Sequence, residues 1–409
     1  MSRKRFPAFH TYFSGFHGPS GDPIREVEIP GPHRIRQYTG EFWTSRQRQA
    51  SSLQEISYRA CFKPQLPGFF IDLLTREGDI VYDPFSGRGT TAIEAGLRGR
   101  RVIANDANPL SRALTEPRLD PPTTKEVADR LGTISRQGDR ADRDLSMFYH
   151  PDTEREIVAL RRYLLGRRED GTADAVDRWI AMVATNRLTG HSSGFFSVYT
   201  LPPNQAVSPK SQERINRKRC QVPEYRDTHR LIVRKTKSLI SGLTPAGIAN
   251  LQRAGADARF FTGDARSTPG IAPDAVRLTV TSPPFLDIVQ YRVDNWLRCW
   301  FCGLDEETIG RTITMARTIA DWEAVMGAVF RELFRITAPG GYVAFEVGEV
   351  RKKTVRLEEH VVPLGIAAGF LCEGVIINQQ LFSKTSNIWG VGNNLSGTNT
   401  NRIVVFSKP

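Results

Sequence analysis

Four consecutive residues, Ser282-Pro283-Pro284-Phe285, stand directly after a strand-like apolar run that carries Leu278 and Val280. Proline fixes its own φ and donates no backbone hydrogen bond. Each proline also pushes the residue before it out of the helical region. The segment is either a plain turn or a stiff loop that holds a hydroxyl, carbonyl oxygens and an aromatic ring at a strand end. A second group lies much earlier. "DPFSGRGTT" (Asp83–Thr91) places Gly87 and Gly89 between a short apolar strand and a helix. Glycines there let backbone approach a ligand, and the helix N-terminus offers free N–H groups. Asp83 is a poor neighbour for a pyrophosphate and a good one for a cationic amine. Asp106 closes the next strand, where a carboxylate can take ribose hydroxyls or cap a helix beginning at Ala107. Asp264, in "TGDAR", can accept from an adenine amino group or serve as a turn aspartate. Acids at two strand ends suit a nucleoside that carries positive charge and no phosphate, the character of S-adenosylmethionine.

These residues need a parallel sheet to bring them together. Asp79–Pro109 reads as a βαβ unit: an apolar strand, the Gly-rich turn, a helix over 90–97 and a strand over 101–104. The α/β pattern resumes with "ARFFTGDARS", "AVRLTVTSPPF", a helix over 321–337, "YVAFEVG" and the strands "EGVIINQQLF" and "NRIVVFSK". Between the halves the texture turns helical and basic. The division expected is an irregular N-terminal arm over 1–50, a first half over 51–130, a helical basic insertion over 131–254 and a second half over 255–409.

The formal net charge of +12 favours a polyanionic partner, nucleic acid being the commonest, unless the chain only reflects an arginine-rich proteome. The five cysteines, Cys61, Cys220, Cys299, Cys302 and Cys372, are too scattered for a disulfide framework and point to a reducing cytosol. Cys299 and Cys302 form a C-x-x-C, but "NWLRCWFCGL" reads as a buried helix and no second pair completes a zinc site. No metal is expected. The basic N-terminus lacks an apolar signal core, and no apolar run is long enough to span a membrane.

Together, "DPFSGRGTT" and Ser282-Pro283-Pro284-Phe285 resemble the two signatures of the S-adenosylmethionine-dependent DNA amino-methyltransferases. Within these, the Ser-Pro-Pro-aromatic form is most similar to the cytosine-N4 enzymes of restriction-modification type. "YRACFKPQLPGFF" (Tyr58–Phe70) resembles the segment that precedes the cofactor loop in those enzymes and lies near the methionine end of the cofactor, which brings in Lys63 and Pro64. Phenylalanine stands where the family usually has tyrosine, and the cofactor loop precedes the catalytic segment. The resemblance implies a Rossmann-like α/β methyltransferase fold with a helical insertion. It implies cofactor contacts from Asp83, Phe85, Gly87, Gly89, Thr90, Thr91, Asp106, Asp264, Lys63 and Pro64, and catalysis by Ser282, Pro283, Pro284 and Phe285. The Ser282 hydroxyl and a proline-segment carbonyl would accept the hydrogens of an exocyclic amine, while Phe285 stacks on a base rotated out of the duplex. Serine at the first position leans to cytosine N4. Adenine N6, an RNA base and a non-catalytic DNA-binding role are the alternatives. The partner implied is duplex DNA, with a restriction endonuclease as the companion such enzymes often have.

The insertion is the natural target-recognition region. Lys210, Arg214, Arg217, Lys218, Arg219, Arg226, Arg230, Arg234, Lys235 and Lys237 face few acids. Arg214, Arg217, Lys218, Arg219, Arg230 and Arg234 are candidates for phosphate contact, with a solvated face as the other reading. In "HSSGFFSVYTLPPNQ", Phe195, Phe196, Tyr199, Asn204 and Gln205 either meet base edges or pack on the insertion's own core.

Overall fold

The computed structural model describes residues 9–19, 21–29, 33–43, 50–58, 61–201, 206–284, 291–305, 307, 309–310, 316, 318–350, 355–379 and 400–409. The N-terminal part forms α1 (Phe9–Ser14), β1 (Arg25–Ile29) and β2 (Ile35–Gly40), followed by α2 (Gln65–Leu74). The βαβ unit is β3 (Ile80–Asp83), α3 (Thr90–Leu97) and β4 (Arg101–Asp106), and α4 (Leu110–Thr115) follows. Then come α5 (Thr124–Thr133), α6 (Pro151–Glu169), α7 (Ala175–Thr185), α8 (Pro209–Arg219), α9 (Thr228–Ile240) and α10 (Pro245–Asp257). The second half supplies β5 (Arg259–Thr262), β6 (Val276–Thr281), α11 (Tyr291–Cys302), a helix Ile319–Ile336 and β7 (Thr337–Val347). A short hairpin of β8 (Glu349–Val350) and β9 (Val355–Arg356), a helix Leu357–Ala367, β10 (Leu371–Gln379) and β11 (Thr400–Ser407) complete it.

Among the described residues one nine-stranded sheet runs β1-β2-β10-β11-β7-β6-β3-β4-β5. From β5 to β7 all neighbours are parallel, whereas β11 is antiparallel to both β7 and β10. The chain leaves β3 in one direction, through β4 to β5, then returns to build β6 and β7 on the other side. The order therefore reverses between β3 and β6, and crevices at such a switch point hold ligands in doubly wound sheets. Both faces are covered, so the strands read as apolar runs. Val81, Val102, Leu278, Ile376 and Val405 face one core, while Tyr82, Ile103, Val343, Phe345 and Phe406 face the other.

Two expectations change. Residues 1–50 are not wholly an irregular arm: β2 pairs in parallel with β10, and β1 extends the sheet beyond it. The Phe42 and Trp43 N–H groups both donate to Asn378 Oδ1, at 2.8 and 3.3 Å, and fasten this segment to the sheet. Alternation over such short strands among Gly, Pro and His is too weak to read from sequence. The boundary at 254 also moves, because it falls inside α10. That helix packs on α3 and β4 and is the crossover into β5. The remaining helical segment is not a separate body, since Trp179, Ile180 and Leu231 share one core with Leu114, Phe70 and Leu278.

Candidate functional site

The glycine turn is built by three constraints. Gly89 has φ +77°, and a Cβ there would lie 2.3 Å from the Thr115 side chain, so no other residue fits. Gly87 has φ +52° and lies beneath the Tyr58 ring. Its N–H donates to Asp106 Oδ2 at 2.8 Å, which joins the ends of β3 and β4. Asn105 extends this seam by donating to the Pro84 carbonyl at 3.2 Å and the Gly263 carbonyl at 3.0 Å. Sequence reading missed Asn105, because an asparagine beside an aspartate carries no signal of its own.

Asp83 is buried, and its Oδ1 accepts from Thr281 Oγ1 at 2.6 Å and from the Phe85 N–H at 3.1 Å. Thr281 is the residue before Ser282, so this bond ties the glycine turn directly to the Ser-Pro-Pro segment. Burial pushes the Asp83 carboxyl up to about 7, against the pull of the Thr281 and Phe85 hydrogen bonds. Asp83 Oδ2 and Ser86 Oγ are buried in this turn without a hydrogen-bonding partner among the described residues. Asp106 is raised to about 6 by its enclosure, with the Asn108 and Gly87 N–H groups acting in the other direction. It does not cap the helix that follows: α4 begins at Leu110, whose N–H donates to Asn108 Oδ1 at 3.0 Å. Each Asp106 oxygen accepts one backbone N–H, leaving further lone-pair sites.

Thr90 and Thr91 are turned into the protein. The Thr90 hydroxyl accepts from Arg88 Nε at 3.2 Å, and the Thr91 hydroxyl donates to the Val280 carbonyl at 3.1 Å. Their side chains fix the turn instead of lining it, which corrects the expectation for both. Asp264 is corrected too. It is exposed and its carboxylate is gripped by the Arg266 guanidinium, at 2.8 and 3.0 Å to Nε, which holds it below its ordinary range. The turn-aspartate alternative is the one displayed. Pro64 precedes the first turn of α2, Lys63 is exposed beside it, and Phe85 packs half-buried against the second core.

Ser282 is an electrostatic neighbour of Glu346, a buried carboxyl on β7 that accepts from Asn401 Nδ2 at 2.9 Å. Desolvation raises the Glu346 pKa, and the interactions with Ser282 and Asn401 moderate the rise. Pro283 is buried, and the Pro284 carbonyl accepts from Trp322 Nε1 at 3.1 Å. Trp322 and Glu346 were not singled out from the sequence. One sits in an amphipathic helix and the other inside an apolar strand, and only the charge of Glu346 in "YVAFEVG" could have flagged it. Phe285 lies outside the described residues.

In the insertion, Phe195 and Phe196 are buried, so the aromatics of this loop pack inward and are corrected from base contact. Tyr199 lies under Arg219, whose guanidinium carbon is 3.8 Å from the ring centroid. Arg214, Arg217, Lys218, Arg219 and Arg230 are exposed on α8 and α9. Arg234 is exposed as well and donates to the Ser193 carbonyl at 3.3 Å, whereas Lys235 pairs with Glu55 at 2.8 Å. Asn204 and Gln205 lie outside the described residues. Cys299 and Cys302 are buried in α11, with Cys302 Sγ 3.3 Å from the Thr185 hydroxyl. Among the described residues, no group of three or more His, Cys, Asp or Glu side chains is placed to hold a metal, and no helix is long and apolar enough to cross a membrane.

Residues 27–112 match the DNA methylase family model, from β1 through the glycine turn and Asp106 to α4. The Type II methyltransferase M.MvaI of Kocuria varians is 29% identical over 96 residues, 23% of this chain and 20% of that protein. The orphan methyltransferase M.BamHII of Bacillus amyloliquefaciens is 42% identical over 60 residues, 14% of this chain and 23% of that protein. The tRNA (guanine(10)-N2)-dimethyltransferase of Methanocaldococcus jannaschii is 32% identical over 101 residues, 21% of this chain and 29% of that protein. The chain thus spans less than a third of the length of these relatives. The strand order is that of an α/β, Rossmann-like sheet, and the segment similar to the DNA methylase family supplies its β3-α3-β4 unit.

Proposed function

We propose that this chain is an S-adenosylmethionine-dependent methyltransferase that methylates an exocyclic amino group of a base in duplex DNA, cytosine N4 in the finer reading. One observation carries it. Ser282-Pro283-Pro284 and the Asp83–Gly89 turn leave the ends of adjacent parallel strands at the switch point, joined by the 2.6 Å bond from Thr281 to Asp83. A cofactor bound over the turn is thereby held next to the acceptors of the Ser-Pro-Pro loop.

The residues present fit the cofactor. Gly87 and Gly89 keep the turn free of side chains, Asp106 has acceptor sites to spare, and Asp83 Oδ2 and Ser86 Oγ are orphaned polar atoms. Bound there, S-adenosylmethionine supplies an electrophilic methyl group. The chain's own part is to make a weak nucleophile reactive. An exocyclic amine shares its lone pair with the ring. When its hydrogens are accepted by Ser282 Oγ and by a carbonyl of the proline segment, the nitrogen can become tetrahedral and nucleophilic. Ser282 Oγ keeps its acceptor lone pairs if its own proton is given to Glu346, the buried carboxyl whose electrostatics it influences. Trp322 holds the Pro284 carbonyl from behind and stiffens the loop, which is the positioning contribution. The exposed cations of α8 and α9 suit the phosphate backbone. The resemblance of Ser282-Pro283-Pro284 to the cytosine-N4 signature supports the choice of base.

A second reading is an RNA base, favoured by the similarity to a tRNA guanine-N2 enzyme. Transfer of labelled methyl groups to duplex DNA and to tRNA separates the two. Digestion of the labelled DNA to nucleosides then identifies N4-methylcytosine or N6-methyladenine. Label in tRNA alone would overturn the DNA reading, and label on adenine would overturn the cytosine reading.

A further inference from the structure

Helix α8 is held to the body along one side. The buried Gln212 donates from Nε2 to the Tyr199 carbonyl at 3.0 Å and to Asn216 Oδ1 at 2.7 Å, and Asn216 Nδ2 donates to the Met147 carbonyl at 2.7 Å. Arg219 lies over the Tyr199 ring. Just before the helix, the Ala206 N–H donates to the Asp294 carbonyl at 2.8 Å, and Trp296 Nε1 donates to the Val207 carbonyl at 3.2 Å. Asp294 and Trp296 stand in the first turns of α11, the helix that follows the Ser-Pro-Pro loop. The start of α8 is therefore fixed to the element that leaves the catalytic segment. With about 3.6 residues per turn, Gln212, Ile215, Asn216 and Arg219 share the side that faces the body. Lys210, Arg214 and Arg217 then fall on the opposite side, with Glu213 and Lys218 at its margins, and all five are exposed.

This outer face costs the helix stability. Lys210 and Arg214, Arg214 and Arg217, and Arg214 and Lys218 are like charges at i,i+3 or i,i+4 spacing. Lys210 also stands in the first turn, where the helix dipole disfavours a cation. The dipole accounts for Arg217, Lys218 and Arg219 in the last turn, but not for Lys210 and Arg214. A bound polyanion offsets both costs, and shape selects which one. A helix with its side chains is about 10–12 Å across, and the major groove of B-DNA is about 12 Å wide. The major groove of A-form RNA is too narrow for side chains to read. We propose that α8 enters the major groove of duplex DNA beside the base being methylated. Arg214 and Arg217 are directed at guanine O6 and N7, and Lys210 and Lys218 at phosphates on the groove walls. Arg214 uses one of its donors on Ser211 Oγ, at 3.1 Å, out of the five a guanidinium offers. The two arginines are about 4.5 Å apart along the helix, near the base-pair rise of about 3.4 Å, so they read neighbouring pairs. This rests on the DNA reading above and deepens it.

The test is methylation of a randomised duplex library by the full chain, followed by sequencing of the methylated sites. Wild type should require guanine at one or two base pairs near the target. Arg214→Gln and Arg217→Gln should each lower discrimination at one of those pairs about tenfold or more, with the salt slope of duplex binding nearly intact. Lys218→Gln should lower the slope by about 0.9 and weaken all sequences alike. Replacing those guanines with 7-deazaguanine, which lacks the major-groove N7, should weaken wild type but not the arginine variants. Replacing them with inosine, which lacks the minor-groove amino group, should change neither. S-adenosylhomocysteine affinity should be the same in every variant, which reports that they are folded; the base analogues with wild type decide the groove even where a variant does not fold. Sensitivity to inosine instead of 7-deazaguanine would put the contact in the minor groove and overturn the proposal. If wild type methylates duplex DNA without sequence preference, or with a preference that both arginine variants retain, α8 does not read bases and the function stands. If both arginine variants weaken all sequences alike and lower the salt slope, α8 meets phosphates only, and the proposal is again overturned. If wild type methylates tRNA and not duplex DNA, the DNA reading fails and the role of α8 falls with it.

Discussion

Asp83→Asn isolates the electrostatics of the switch point. In the wild type, the Asp83 carboxyl is raised from 3.8 to about 7 because it is buried. Between those values the folded protein holds a proton that the unfolded chain has released, so stability falls as pH rises. The contribution is complete below about pH 4 and is lost by about pH 7. A shift of about three units at 1.36 kcal/mol each makes the fall about 4 kcal/mol. Asparagine keeps an oxygen for Thr281 Oγ1 and the Phe85 N–H and places an amide at the position of Oδ2, the atom without a partner. It does not titrate. Whatever the offset between the two proteins at pH 4, their difference in stability should swing in favour of the variant by about 4 kcal/mol by pH 8.

Urea denaturation of the ligand-free proteins across pH 4–8 measures this. Asp106 and Glu346 are also raised, but they titrate in both proteins and largely cancel in the difference. With saturating S-adenosylmethionine the wild-type profile should flatten, because a cation near Asp83 favours its ionised form. A difference between wild type and variant that stays constant across the range would refute the reasoning, since it would mean that Asp83 is ionised in the fold at neutral pH.

Ser282→Ala should keep S-adenosylhomocysteine affinity within a few fold and lower turnover by at least about 100-fold; unchanged turnover in a folded variant would remove Ser282 from catalysis. Glu346→Gln should slow turnover and abolish the acid limb of its pH profile, because the ionised carboxylate is the stronger acceptor for the Ser282 proton and burial raises the Glu346 pKa. An acid limb that survives would assign it to another group. Gly89→Ala should destabilise the fold by about 2 kcal/mol from φ +77° alone, with the Thr115 clash adding to it, read as a shift in the urea midpoint. Neutralising Arg214, Arg217 and Lys218 on α8 should reduce the salt slope of duplex binding by about 0.9 for each phosphate no longer bound. A slope that does not move would make α8 a solvated face.

The parts of this site that were legible from sequence are those where local backbone chemistry carries the signal. Gly87 and Gly89 were readable because positive φ leaves few other choices, and Pro283-Pro284 because proline stiffens a chain wherever it stands. Asp83 and Asp106 were readable as acids at strand ends, although their hydrogen-bond partners were not. What escaped was set by distant pairing. Glu346 meets Ser282 only because β7 lies beside β6, and Trp322 meets Pro284 only because its helix packs over that strand end. Thr90 and Thr91 look like ligand contacts in a motif, but their hydroxyls have nearer acceptors and donors within the fold. The same logic separates the cations. A run of Lys and Arg in sequence does not say which face water. Arg219 lies over Tyr199, Lys235 is paired with Glu55, and Arg187 stands outside the run altogether. The placement that matters for binding is therefore not the density of positive charge along the chain. It is which cations the fold leaves facing water, as it does Arg214, Arg217 and Lys218 on α8.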